Sequence, residues 1–331
     1  MEFTTGGRLE VRISAADTGK RVSVRRVSSS GTPGSTFTDT VGVLTSWDQG
    51  VLSITRKSGE TVRIEESTLV AGKVVPAAPA RRRGPAASFD ELAPVMARAW
   101  QPLESERLGG WTLRAAAGFT RRANSALPLG DPGLPVPDAL DRVRAWYAAR
   151  ELPAYVQAAT GADGTQERLC ADLERLGWER EVSAEVRIAA LAPVGDLDAD
   201  TTRVRLARTV DDAWLSRYQR SSASSEHVLK VLGSGPSVWF ASVPGEGPLP
   251  AAIGRCVVDG RWAGFMAVEV DPALRRQGLA SAVMTALARR ALDEGASAAW
   301  LQVETDNEGA RALYGQQGFS THHSYHHFRS R

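Results

Sequence analysis

Residues 265–319 read FMAVEVDPALRRQGLASAVMTALARRALDEGASAAWLQVETDNEGARALYGQQGF. An apolar run, Phe265 to Val270, stops at Asp271-Pro272, and a compact basic turn follows, Arg275-Arg276-Gln277-Gly278-Leu279-Ala280. A long amphipathic pattern then runs from Ser281 to about Glu294, with Gly295 placed to end it. The order is strand, anion-binding turn, helix, and it predicts an enzyme that handles a phosphate-bearing cofactor. Successive backbone N–H groups from Arg276 to Ser281 would point into the turn at the positive end of the helix dipole. Gly278 has no Cβ and lets a diphosphate approach the backbone closely. The side chains of Arg275 and Arg276 add positive charge beside it.

With 331 residues the chain is long enough for two or three domains, and 43% apolar residues suffice for sizeable cores. Forty basic residues balance 38 acidic ones for a net charge of +2, which is no nucleic-acid-binding composition. Two distant cysteines, Cys170 and Cys256, give neither a disulfide framework nor a thiolate metal site. The N-terminus lacks the basic start and apolar core of a signal peptide, and no apolar stretch is long enough to span a bilayer. The expectation is a soluble cytoplasmic protein with no membrane partner.

Residues 1–75 alternate apolar and polar at strand period in Leu9–Ile13, Arg21–Val27, Gly42–Trp47, Val51–Thr55 and Thr61–Ile64. Short strands joined by tight turns predict a small all-β barrel, whose order resembles SH3-like barrels. Residues 76–88 (PAAPARRRGPAAS) form a linker. Residues 89–193 read as an α/β unit. It has a helix from Phe89 to Trp100 capped by Ser88, strands at 110–114 and 122–127, and a helix at 138–150. A strand at 154–157 and a helix at 165–176 follow. An acidic linker, 194–202, precedes a third unit, 203–331. Tyr155-Val156-Gln157, a helix, then Leu176-Gly177-Trp178 echoes Trp300-Leu301-Gln302, a helix, then Gln317-Gly318-Phe319. The first copy has no counterpart of residues 275–280, and prolines in its acidic loop remove amide donors. It therefore reads as a degenerate repeat without the phosphate site.

The third unit resembles the GNAT-type acetyltransferases. Val270-Asp271-Pro272 followed by Arg275, Gly278 and Ala280 matches one family pattern, and Asn307, Ala310, Leu313, Tyr314, Gly318 and Phe319 complete another. The resemblance implies an α/β fold of mixed central sheet and flanking helices, in tandem, with acetyl-CoA as cosubstrate. It implies that Val268, Glu269 and Val270 pair with the pantetheine arm as an added strand would. Residues Arg275, Arg276, Gln277, Gly278, Leu279, Ala280 and Ser281 would then hold the diphosphate, and Asn307 would bond the arm. Asn307 also suits a plain helix N-cap.

By the same resemblance Tyr314 is the general acid that protonates the departing CoA thiolate. For the general base, some relatives use a Glu where this chain has Gln302. Glu269 and Glu304 are the available carboxylates, with Glu269 preferred and a water relay as a further option. The cluster His322, His323, His326 and His327 is expected in a terminal hairpin, holding no metal. The implied activity is direct acetyl transfer to a primary amine of a small molecule or a protein. The acceptor would lie between the helices of residues 211–232 and the C-terminal hairpin, with Glu226 and His227 as contacts and the second unit as a wall of the cleft. A non-catalytic acyl-CoA sensor or protein-interaction module is the alternative, and Gln302 is the residue that favours it.

Overall fold

The computed structural model describes residues 10–27, 37–75, 85–218 and 226–331. Strands β1 (Arg21–Val27), β2 (Phe37–Asp48), β3 (Val51–Thr55), β4 (Thr61–Glu65) and β5 (Leu69–Val74) form one antiparallel sheet in the order β4-β3-β2-β1-β5. Period-two alternation puts Val22, Val24, Leu44, Leu52, Ile54 and Ile64 in one buried cluster. The β2–β3 turn falls at Gln49-Gly50, both with positive φ, the twist that a two-residue hairpin needs. Among the described residues β4 and β5 do not pair, so the anticipated barrel is here an open five-stranded sheet. Residues 9–13 were expected as a strand, but their described part makes one bridge, Val11 to Gly72, and Leu9 lies outside the described residues. Residues 76–84 of the expected linker, Arg81 to Arg83 included, also lie outside them.

Helix α1 (Phe89–Arg98) begins where Ser88 Oγ accepts from Glu91 N at 3.1 Å. A small sheet follows, β6 (Glu104–Leu108), β7 (Trp111–Ala115) and β8 (Leu127–Pro128). The expected strand over 122–127 is instead a 3₁₀ turn at Arg121–Ala123 leading into β8. Asn124 causes the difference. Its Oδ1 accepts from Ala116 N and Gly118 N, and its Nδ2 donates to the Phe119 and Thr120 carbonyls, so it ties the chain into a closed loop.

After these come α2 (Val136–Ala148), β9 (Tyr155–Thr160), α3 (Glu167–Arg175), β10 (Glu179–Ala190) and α4 (Leu191–Gly195). Then follow β11 (Arg205–Ala207), α5 (Asp212–Arg217), α6 (Glu226–Leu232), β12 (Ser237–Val243), β13 (Ala252–Asp259) and β14 (Trp262–Val270). The chain ends with α7 (Leu279–Asp293), β15 (Ala298–Glu304), α8 (Glu308–Gln316) and β16 (Ser320–Arg329).

Strands β9 to β16 make one sheet in the order β11-β12-β13-β14-β15-β10-β16-β9. The repeat seen in the sequence is present as β9-α3-β10 and β15-α8-β16, but with the last strands exchanged. Strand β10 lies against β15, and β16 lies between β10 and β9. Segments 89–193 and 203–331 thus contribute strands to a common sheet. The expected terminal hairpin is corrected: the histidine segment is a single ten-residue strand inside that sheet.

Two apolar layers cover this sheet. One holds Trp262, Met266, Trp300 and Tyr325 with α1, Trp100, Trp214 and Tyr218. The other holds Phe265, Leu301, Val303, Tyr314 and Phe319 with α7. Gly264 sits opposite Trp300 in the β14–β15 ladder, and a Cβ there would run into the Trp300 indole. Trp300 is only 1% exposed and has nowhere to move. Gly264→Ala is therefore expected to cost about 2–3 kcal/mol by overpacking. Urea denaturation checks this, and an unchanged midpoint would contradict the close approach.

Candidate active site

Strands β14 and β15 run parallel for four residue pairs, the last being Phe265 with Leu301. Beyond it they part. On its other side β14 carries a bulge: Met266 pairs with Arg255 and Glu269 with Ile253, so Ala267 and Val268 oppose Gly254 alone. Ala267 takes φ 51°, a left-handed value that alanine rarely adopts. A bulge sharpens local twist and turns the strand away from its neighbour. The residues expected to accept an added strand, Val268 to Val270, lie in this diverging part.

The parted strands flank a cavity of about 820 Å³. Its lining takes in Met266, Tyr218 and Tyr325 from one layer and Leu313 and Tyr314 from the other, so it passes through the sheet. Val268, Glu269, Val270, Arg275, Arg276, Gly278, Leu279, Ala280, Ser281, Asn307 and Tyr314 all line it. Of the sequence-predicted residues Gln277 does not; it is exposed on the outside of the turn. Glu226 and His227 do not line it either.

The basic turn has the shape its residues predicted. Asp271 Oδ1 accepts from Ala273 N at 2.9 Å, and Arg217 Nη2 donates to Asp271 Oδ2 at 2.6 Å, which anchors the entry to the turn. Arg276 (φ 66°) and Gly278 (φ 78°) are both left-handed, an alternation that turns successive N–H groups toward one side. Gly278 is the N-cap of α7 and supplies no side chain to the first-turn amides. A Cβ built on Gly278 would meet no atom within 4 Å, so the space beside it is open to a ligand.

Asn307 Oδ1 caps α8 by accepting from Ala310 N at 3.1 Å, while the residue also lines the cavity. Tyr314 packs edge-on against Phe319, with ring centroids 6.0 Å apart, and burial pushes its phenol up to about 12. Glu269 falls on the same side of β14 as Ala267, in the Trp100 layer, and Glu304 shares the side of Gln302 on β15. Cys256 is buried on β13 and its thiol is pushed up to about 12 by burial, unsuited to act as a nucleophile.

A family model described as "Probable histone acetyltransferase Rv0428c C-terminal" matches residues 87–328. The chain belongs to this GNAT acetyltransferase family. It is similar to a Mycobacterium tuberculosis protein named "Probable histone acetyltransferase Rv0428c", 28% identical over 92% of this chain and 93% of the relative. It is also similar to a Bacillus subtilis protein named "Uncharacterized N-acetyltransferase YobR", at 24% identity over 70% of this chain and 94% of the relative. A solved "GCN5-related N-acetyltransferase from Kribbella flavida" shares the fold, with a TM-score of 0.53 and 16% identity over 74% of this chain and 96% of that one. The chain is thus an acyltransferase of GNAT type.

In this GNAT enzyme the residue that sequence reasoning missed is Arg122. It comes from the 3₁₀ turn after β7, yet it lines the cavity 180 positions from its partner. Its Nη1 donates to Gln302 Oε1 at 2.5 Å, and its guanidinium lies 4.7 Å from the Trp100 ring centroid. Gln302 Nε2 faces Met96 Sδ at 3.5 Å. Gln302, which the resemblance set at the position of a base in some relatives, therefore holds an arginine. No local pattern around Arg121-Arg122 signals this, because the pairing depends on how the two halves meet.

Proposed function

We propose that the enzyme transfers acetyl from acetyl-CoA directly to a primary amine. The observation that carries this reading is the continuity of the strand gap, the amide-lined turn at Arg276 to Ser281, and Tyr314 within one cavity. In the proposed step the amine nitrogen attacks the thioester carbonyl from the Trp100 side. Glu269 takes the amine's proton directly or through water. The carbon–sulfur bond then breaks, and the thiolate takes a proton from the Tyr314 hydroxyl. The diphosphate would rest on the turn amides and α7 dipole, with Arg275 and Arg276 beside it.

The mycobacterial relative's name includes a histone acceptor; for this chain the acceptor class is taken up below. Residues 89–193 are read as a degenerate GNAT unit and 203–331 as the catalytic one, giving one site per chain. The N-terminal sheet is read as an SH3-like module. A cytoplasmic location accords with two cysteines that are free and buried. No described helix is long and apolar enough to cross a membrane. The sensor alternative rested on Gln302, and its bond to Arg122 gives that residue another purpose.

Calorimetry with acetyl-CoA, followed by thiol release across polyamines, aminoglycosides, amino acids and peptides, tests the reading. Acetyl-CoA binding with intersecting initial-rate patterns is expected, together with an intact-protein mass unchanged by acetyl-CoA alone. A stable acetylated protein, or tight binding without turnover on any amine, would overturn it.

A further inference from the structure

We propose that the acceptor is an amine that also carries a carboxylate, and that Arg122 is the residue that selects it. The inference rests on the acetyltransferase reading and adds the substrate class. Gln302 is the first β15 residue beyond the last ladder pair, Phe265–Leu301, so Arg122 stands at the closed end of the gap. Glu304 lies two residues further along the strand, and Glu269 lies on β14 across the gap. On its acceptor side the cavity therefore has carboxylates toward the open strand tips and a guanidinium at its inner end. An amine that must lose a proton suits the first, and an anion suits the second.

Among the described residues the charge at the inner end has no acidic counterpart in its own contacts. Arg122 bonds to a neutral amide oxygen and lies over an indole. Behind it stand two more arginines. Arg255, 0% exposed, donates to the carbonyls of Leu232, Ala99 and Ser234 and lies 5.0 Å from the Trp100 centroid. Arg114, 5% exposed, donates to Ser125 and to Gln157 Oε1. Every one of these acceptors is neutral. Burial first, and Arg122 among the neighbouring charges, pull Arg255 down to about 9 and Arg114 to about 10. Two buried guanidiniums behind a half-buried one create a positive potential that an incoming carboxylate would relieve. Arg122 is the one of the three that lines the main cavity, and its planar fork matches a carboxylate.

This also explains glutamine at position 302. A glutamate there would sit at ion-pair distance and cancel Arg122. Glutamine fixes the same guanidinium through Oε1 and leaves its charge for a ligand. A lysine-rich peptide would instead bring further positive charge to a wall that is already positive.

The test uses the full chain saturated with CoA, and N-acetylated amino acids against their carboxamides as probes, so that amine basicity does not enter. Calorimetry is expected to show the acid binding about 10- to 100-fold more tightly than its carboxamide. Arg122→Gln should erase that preference, and Arg122→Lys should keep part of it. Gln302→Glu should also erase it, through an ion pair with Arg122. Each variant must keep the parent's affinity for acetyl-CoA, which certifies the fold. Equal binding of acid and carboxamide, no binding of any acid, or a preference that survives Arg122→Gln would overturn the proposal. Failure of the acetyltransferase reading has a separate signature: no thiol is released on any amine, whereas the acid–carboxamide comparison, run without CoA where CoA does not bind, still reads the anion site.

Discussion

Replacing Tyr314 with phenylalanine is expected to slow acetyl transfer by about 10²- to 10⁴-fold, the range for loss of a positioned general acid, with acetyl-CoA affinity nearly unchanged. The phenol's proton affinity is the point at issue, since burial pushes it up to about 12. A group that holds its proton so firmly would be a poor acid toward a thiolate in water. In the proposed step the leaving sulfur would form beside Tyr314, and burial there would raise the proton affinity of both partners in the same direction and narrow the gap between them. The parent enzyme should then show no loss of rate from phenol ionisation below about pH 11. Single-turnover kinetics would isolate the chemical step. Equal single-turnover rates for the parent and Tyr314→Phe would remove Tyr314 from the mechanism.

Acidification should unfold this protein earlier than its carboxylates alone require. His326 is pulled down to about 3 by burial and then by Arg180. His323 and His327 are also held well below the ordinary value, by burial first, then by His322 and Lys57 for the one and by Arg114, Arg121, Arg122 and His326 for the other. The hydrogen bonds fix the tautomer of the neutral ring at His326. Thr160 Oγ donates to the Lys57 carbonyl at 3.0 Å, so it must accept from His326 Nε2, leaving Nδ1 to accept from Ser183 Oγ at 2.7 Å. With the folded values depressed, the unfolded chain binds more protons below about pH 6.5, and stability falls with falling pH across that window. His326 alone would remove roughly 3 kcal/mol by pH 4. Glu167, raised by burial, works in the opposite direction, and Glu185, lowered by its arginine partners despite burial, adds its loss only at lower pH. Urea midpoints should therefore decline already between pH 6.5 and 5. A flat profile there would refute the assignment, and His326→Gln should shallow the slope if it folds.

The turn and its helix were legible because their determinants are local. Asp271-Pro272, the two arginines and Gly278 carry their geometry in their own backbone preferences, and α7 begins within two residues of where its pattern starts. Tyr314 and Asn307 were singled out through the resemblance to the GNAT pattern that α8 carries, and both line the cavity. Three things were not legible. Asn124 overrode strand propensity by bonding to four backbone groups, a competition invisible to periodicity. The alternation in β10 (EREVSAEVRIAA) is regular, yet nothing local says that it would enter the other repeat's half of the sheet. Arg122 reaches the site only because the halves share that sheet, so its role lies in long-range packing.

The exchange of β10 and β16 has a consequence for how the enzyme comes into being. Strand β16 is the central partner of both β10 and β9, and it is made after every other described strand. A growing chain can collapse residues 89–193 only as far as a sheet lacking one of its inner members. Ladders that join positions so far apart in sequence carry a high closure entropy and fold slowly. Until residue 329 has left the ribosome, the edges of β9 and β10 stay exposed to other chains. The sheet that carries the cavity is therefore complete only once β16 has been made.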